Sequence, residues 1–222
     1  MTLARTVVVP GMIAEYGAFA ALLGTLSAEQ WASPSRCADW RVADVAAHVV
    51  GQLSDVTAFR LDDLGSPDVT ARQVAERRGS NPHELADELR SSAKTATDLV
   101  EGFDEVAYET EGPQANGQTL GFGLESLWFD TYLHSDDIRA ALGHSTTSKT
   151  GLAPSVSHIS AVLSQQEWTP ATIRLTGLDE FLVSGGDSGL LISGDPMQFI
   201  LVSTGRADPA SMGLDPAVNI YR

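Results

Sequence analysis

Two imidazoles and one carboxylate are the side chains of this 222-residue sequence whose types and spacing could do chemistry. Asp130 and His134 lie four residues apart in Phe129-Asp130-Thr131-Tyr132-Leu133-His134, and on a helix that step puts both on one face. His48 closes a separate stretch, Trp40-Arg41-Val42-Ala43-Asp44-Val45-Ala46-Ala47-His48, which also reads as helix. Brought together from two helices, the three make an open three-ligand site for a divalent metal, which is how a helical bundle usually acquires chemistry. Taken singly the pieces are bland. Asp44, Gln52 and Asp55, at i−4, i+4 and i+7 from His48, form a polar seam in which one carboxylate satisfies a single histidine. An exposed Asp–His pair at i,i+4 is worth only about 0.3–0.5 kcal/mol. Asp137, three residues past His134, is placed to orient a ring nitrogen from behind.

The elements that must carry these residues follow from periodicity and punctuation. Ile13, Tyr16, Ala20, Leu23 and Leu26 give a first helix over about 12–30. Pro34 to Trp40 reads as a loop. Val42, Val45, Val49, Leu53, Val56 and Phe59 form the stripe of a second helix from about Arg41 to Leu64, with Asp39 as its N-cap. Asn81-Pro82 starts a third, faced by Leu85, Leu89, Ala93, Ala96 and Val100. A loop over Glu111 to Gln118 leads to a fourth helix from Thr119 to Leu142, closed by Gly143. Four helices joined this way predict an antiparallel bundle. Beyond Gly143 the texture changes to a Ser/Thr/Gly-rich linker, a short helix over Val156 to Trp168, and strands near 171–176, 180–184 and 190–193. Gly185-Gly186-Asp187 reads as a hairpin turn, Pro196 to Thr204 as a helix, and Ala217 to Tyr221 as a last strand. The fold class is therefore α+β: a four-helix bundle over residues 1–148 and a small α+β domain over 149–222.

Bulk properties narrow the partners. A formal net charge of −15 argues against a nucleic-acid backbone or an anionic membrane surface. The single cysteine, Cys37, permits no intrachain disulfide and fits a reducing cytoplasm. It reads as a small packed side chain in preference to a reactive thiol. Pro10, Gly11 and Glu15 interrupt an apolar leader, so no signal peptide is expected, and no uninterrupted apolar run approaches the ~20 residues of a transmembrane helix. His83, His144 and His158 have no obvious partners and are expected to be exposed.

The segment from Cys37 through Trp40 to His48 resembles the first signature of the mycothiol-dependent maleylpyruvate isomerase family, a branch of the DinB-like helical bundles. Asp130, His134, Asp137, Arg139, Ala141, Leu142 and Gly143 resemble its second signature. The tail from Ile192-Ser193-Gly194-Asp195-Pro196 to Thr204-Gly205-Arg206 resembles, more weakly, its small C-terminal domain. The resemblance covers most of the chain. It implies a DinB-like bundle binding a divalent metal, in the first instance Zn²⁺, through His48, Asp130 and His134. It implies mycothiol as thiol cosubstrate, an electrophilic small-molecule substrate, and cis–trans isomerisation or thiol transfer as the reaction. Arg206 is implied as the residue that holds a substrate carboxylate, against the plain reading of a solvated arginine. One position departs from the pattern: the family's acidic ligand is usually Glu, and Asp130 is about 1.5 Å shorter in reach, where metal–oxygen bonds tolerate about 0.2 Å. The helix must then move inward, a water must intervene, or the metal is lost.

Two rivals belong beside this reading. A non-catalytic binding module of the same fold would leave Asp44, Asp55, Asp136 and Asp137 as a solvated acidic surface. Ala46-Ala47-His48 and Gly186-Asp187-Ser188-Gly189 echo fragments of trypsin-like proteases, but His48 sits in a helical period and the second fragment in a turn, which is the wrong context for a Ser–His triad.

Overall fold

Asn81 and Pro82 behave as their chemistry dictates. The Asn81 side chain accepts from the N–H groups of His83 and Glu84, Glu84 reaches back to the Asn81 N–H, and Pro82 occupies the first helical position, where no N–H is needed. The computed structural model describes residues 2–113, 117–186 and 189–221. They fall into two units, Ala4–Ser148 and Lys149 to the C-terminus, the latter with the first residues of the chain.

The first unit holds α1 (Arg5–Leu23), α2 (Ala28–Trp31), α3 (Val42–Thr57), α4 (Pro67–Glu76), α5 (Pro82–Glu101), α6 (Glu105–Glu109) and α7 (Leu120–Ala141). The four long helices make the bundle: α1 and α3 each pack against both α5 and α7. Tyr16, Phe19, Leu53, Leu85, Leu89, Leu133 and Ile138 are fully buried between them. Removing such area from water is the main drive for their association. By length and composition α1 is also apolar enough to cross a membrane; here its Val8, Met12, Tyr16 and Phe19 lie in the bundle core. Gly11 lets α7 close on α1, since a Cβ there would lie 1.9 Å from the Trp128 ring.

Several boundaries differ from the sequence reading. The first helix begins at Arg5 and breaks at Gly24, before the separate turn α2. The second ends at Thr57 instead of Leu64: Phe59 and Asp63 adopt left-handed backbone (φ 56° and 52°), and a new helix, α4, starts at Pro67 behind the Ser66 cap. Asp39 does not cap α3. Its own φ is 64°, Arg41 holds the cap position, and Asp44 accepts the Arg41 N–H at 2.9 Å. A five-residue helix, α6, precedes the loop that follows it.

The second unit pairs α8 (Leu152–Gln165) and α9 (Pro196–Ser203) with a three-stranded sheet of β1 (Ala171–Leu175), β2 (Phe181–Val183) and β3 (Leu190–Gly194). The strand order is β2-β1-β3, β1 running antiparallel to β2 and parallel to β3. Strands β2 and β3 therefore do not form the hairpin read at Gly185-Gly186-Asp187, and Asp187 and Ser188 lie outside the described residues. Central β1 buries Ala171, Ile173 and Leu175 on one face, the period of two that made it legible. The expected last strand is a 3₁₀ turn over Pro216–Val218, capped by Asp215.

Candidate metal centre

Helices α3 and α7 lie side by side, and their seam brings His48, Asp130 and His134 together. One ligand atom from each lies within 4.8 Å of the other two. Asp130 sits between the rings, its Oδ2 3.6 Å from His48 Nε2 and its Oδ1 3.5 Å from His134 Nε2. Both histidines are buried, each 7% exposed, and their rings meet edge to face at 5.2 Å. The Trp40 ring stands 5.5 Å from one and 6.3 Å from the other, an apolar wall where the loop enters α3.

The other nitrogen of each ring is fixed by a partner the bundle supplies. His48 Nδ1 lies 2.8 Å from Gln73 Oε1 on α4. The Gln73 amide is itself oriented, because its Nε2 donates to Asp55 Oδ2 at 2.7 Å, and Asp55 is fully buried between Arg60 and Arg72 at 2.7 and 2.8 Å. Gln73 Oε1 must therefore accept, so His48 Nδ1 carries the hydrogen and a neutral ring leaves Nε2 with its lone pair toward Asp130. At His134 the same role falls to Asp137, whose Oδ2 lies 2.9 Å from Nδ1. Asp137 is fully buried and is held by Arg36 Nε at 2.5 Å. Arg36 also pairs with Asp136. Gly51 makes the first arrangement possible: a Cβ there would lie 2.6 Å from Gln73 Cβ, so only glycine lets α4 approach α3 this closely.

The donor set fits a small divalent ion. Two ligand atoms on one tetrahedral ion with bonds of about 2.0–2.1 Å lie roughly 3.3–3.4 Å apart; a different Asp130 oxygen comes near that distance from each ring, Oδ2 at 3.6 Å from His48 Nε2 and Oδ1 at 3.5 Å from His134 Nε2. The carboxylate, though shorter than glutamate, reaches both imidazoles across the seam. Burial works to lower the His48 pKa, but the hydrogen bond and charge of Asp130 and the Gln73 oxygen outweigh it and hold His48 above the ordinary histidine value. A second group, Cys37, His134 and Asp137, also has metal-ligand composition, but Cys37 Sγ sits 3.2 Å from Asp137 Oδ2, which already engages His134, while Asp137 Oδ1 engages Arg36.

The remaining candidates fall elsewhere. Arg206 belongs to the C-terminal unit, follows α9, and donates from Nη1 to the Thr204 carbonyl at 3.2 Å. His83 and His144 are exposed, whereas His158, expected to be exposed, is buried on α8 at 6%. The acidic seam is not a solvated surface: Asp55, Asp136 and Asp137 are buried among arginines and ring nitrogens. Gln73 is the residue that sequence reasoning missed. Its helix has few apolar positions, and nothing in the chain before Pro67 announces that it folds back onto α3.

Fold and site define a class: a helical bundle with a two-histidine, one-carboxylate cluster inside it, joined to a small α+β unit. The profile of the family described as mycothiol maleylpyruvate isomerase N-terminal domain matches residues 14–139, more than half of the chain, and the chain belongs to that family. Two solved structures are similar over 96% of this chain and 96% of theirs, each with a TM-score of 0.63. They are crystal structures of the mycothiol-dependent maleylpyruvate isomerase, 15% identical, and of its histidine-to-alanine mutant, 14% identical. At that identity the likeness is one of fold, and it agrees with the α+β class expected from the sequence. No curated protein matches the chain.

Proposed function

We propose that the protein is a metal-dependent enzyme that uses a low-molecular-weight thiol, mycothiol by family, to isomerise an electrophilic substrate or to transfer the thiol to it. The observation that carries this reading is the pair of ring nitrogens whose lone pairs are aimed at one carboxylate by separate hydrogen-bond partners, Gln73 and Asp137. His48, Asp130 and His134 would hold the ion, with Zn²⁺ the first candidate for a site of nitrogen and oxygen donors. Such an ion would supply the positive charge that lets a thiol exist as thiolate at neutral pH. The chain's own residues do the rest. Gln73 and Asp137 keep the Nδ1 hydrogens in place, and Trp40 shields the rings from water. In the isomerase form, the thiolate sulfur bonds to one carbon of a cis double bond conjugated to a carbonyl, and the π electron pair moves onto the carbonyl oxygen as an enolate. The molecule turns about the resulting single bond, the carbon–sulfur bond breaks, and the double bond returns trans with the thiolate regenerated. In the transferase form the thiolate instead displaces a leaving group at an electrophilic carbon: the carbon–sulfur bond forms as the bond to the leaving group breaks, and the leaving group departs with that electron pair.

A second reading, a binding module in which the imidazoles satisfy Asp130 and no ion resides, is supported by the Asp130 oxygens lying 3.6 and 3.5 Å from the two Nε2 atoms. Metal content separates the two. The first reading expects one equivalent of Zn²⁺ retained through gel filtration and a His134→Ala variant that folds but does not retain it. A native protein that takes up no Zn²⁺, and whose melting temperature is unmoved by it, favours the second. The single cysteine is consistent with our assignment of the protein to the cytoplasm.

A further inference from the structure

The helical unit holds a cavity of about 830 Å³. That lies within the ~300–1,000 Å³ of small-molecule sites. Its position on the bundle is informative. Gln52, on its wall, follows His48 by one turn on the same face of α3. Ser126, also on the wall, precedes Asp130 by one turn of α7, and Leu127 precedes His134 by two. Cavity and triad thus occupy consecutive turns of the same two helices, one step being about 6 Å along the axis.

The chemistry of the wall is one-sided. Leu53, Val56, Leu99, Val100, Phe103 and Leu124 are typical of it. Among the described residues the lining contains no Lys, Arg or His, and its charged members are Asp104 and Glu111. Both acids serve the backbone, Asp104 accepting from Ala107 N and Glu111 from Gly117 N, each at 2.8–2.9 Å. An anion entering would meet no counter-charge and two like charges, while an uncharged apolar body would lose only its contact with water. The rim points the same way. Among the described residues of this unit, Val7, Phe59 and Val106 are the exposed large apolar side chains, and two of them, Phe59 and Val106, line the cavity. Phe59 is held there in left-handed backbone (φ 56°), a conformation a bulky side chain adopts only at a cost.

We infer that this cavity is the substrate subsite of the centre and takes the uncharged, apolar body of an electrophile, not a small dicarboxylate. The inference rests on the reading of His48, Asp130 and His134 as the reactive centre, but its test does not. N-phenyl-1-naphthylamine, a neutral fluorophore, is titrated into the full chain with and without Zn²⁺. Saturable one-to-one binding is expected, displaced by 1-decanol and untouched by maleate at the same concentration. Gly123→Trp is the blocking variant. Gly123 lines the cavity and a Cβ there meets nothing within 4 Å, so the indole enters open space without disturbing α7. It should weaken fluorophore binding at least tenfold while circular dichroism and Zn²⁺ affinity stay native. Absence of saturable binding, displacement by maleate, or an unchanged affinity in Gly123→Trp would overturn the assignment. Loss of Zn²⁺ binding with fluorophore binding intact would count against the metal reading alone.

Discussion

Replacing Gln73 by Met should weaken Zn²⁺ binding although Gln73 never approaches the ion. Methionine keeps the length and apolar stem of the side chain and removes both polar ends. Two hydrogen bonds disappear, from His48 Nδ1 at 2.8 Å and to Asp55 Oδ2 at 2.7 Å. Asp55 remains paired with Arg60 and Arg72, so no buried charge is stranded. The fold then loses about 2–4 kcal/mol, one bond being to an ionised acceptor. His48 is freed to place its hydrogen on Nε2, the atom aimed at Asp130, and its ring is free to turn. Loss of a partner of this kind costs about 10- to 100-fold in metal affinity, or about 1.4–2.7 kcal/mol. Competition against a chromophoric chelator on the folded variant measures the ratio, and urea melts measure the stability separately. Gln73→Glu is the discriminating control. A carboxylate accepts from Nδ1 as well as an amide does, so affinity should stay within about threefold of native, while repulsion from Asp55 still lowers stability. A Gln73→Met protein that binds Zn²⁺ within twofold of native, or a Glu variant as weak as the Met variant, would refute the orienting role.

Three further outcomes follow from the same geometry. Gly51→Ala should cost about 1–3 kcal/mol in urea denaturation, because the added carbon meets Gln73 Cβ at 2.6 Å, and it should lower Zn²⁺ affinity in parallel by pushing α4 off α3. Tyr16 and Tyr108 have pKa values raised above the ordinary 10, chiefly by burial, with Glu125 and Glu105 adding to the shift at Tyr108. A raised value means that the unfolded chain gives up its proton first. The stabilisation is complete below pH 10 and is lost above it at about 1.4 kcal/mol per pH unit for each ring, and Tyr108→Phe should remove about one such contribution from the slope of stability between pH 10 and 11. Asp137→Asn keeps an acceptor near His134 Nδ1 but forfeits the ion pair with Arg36; thermal melts should show a lower midpoint, and Zn²⁺ affinity should fall about tenfold.

How much of this was legible in the chain differs by level. Asp130 and His134 declare themselves by one helical step, and the helices bearing them and His48 have the apolar period and caps that make their existence readable; Thr119 accepts from Phe122 N as an N-cap should. That α3 and α7 lie side by side is a tertiary fact, available beforehand only through the resemblance. Gln73 was illegible for a stronger reason. Its helix is short and polar, its partners lie 18 and 25 residues away, and the chain reaches it through left-handed turns at Phe59 and Asp63, the first of them against the preference of a bulky side chain. Asp39 shows the converse error: a good capping residue whose own positive φ takes it out of the cap. Strands β1, β2 and β3 were visible as apolar alternation, but pairing was not, because the same residues suit an antiparallel hairpin or the parallel β1–β3 ladder that forms. Residues 217–221 carry β-branched side chains, yet Asp215 and Pro216 start a 3₁₀ turn there.

X-ray absorption at the zinc edge of the full chain, loaded with one equivalent, tests the central claim most directly. Coordination by His48, Asp130 and His134 predicts a first shell of nitrogen and oxygen at about 2.0–2.1 Å with imidazole scattering from two rings, lost in His48→Ala and unaltered in Cys37→Ser. A sulfur scatterer near 2.3 Å that vanishes in Cys37→Ser, or an ion that His48→Ala leaves in place, would assign the metal to Cys37, His134 and Asp137 and contradict the account.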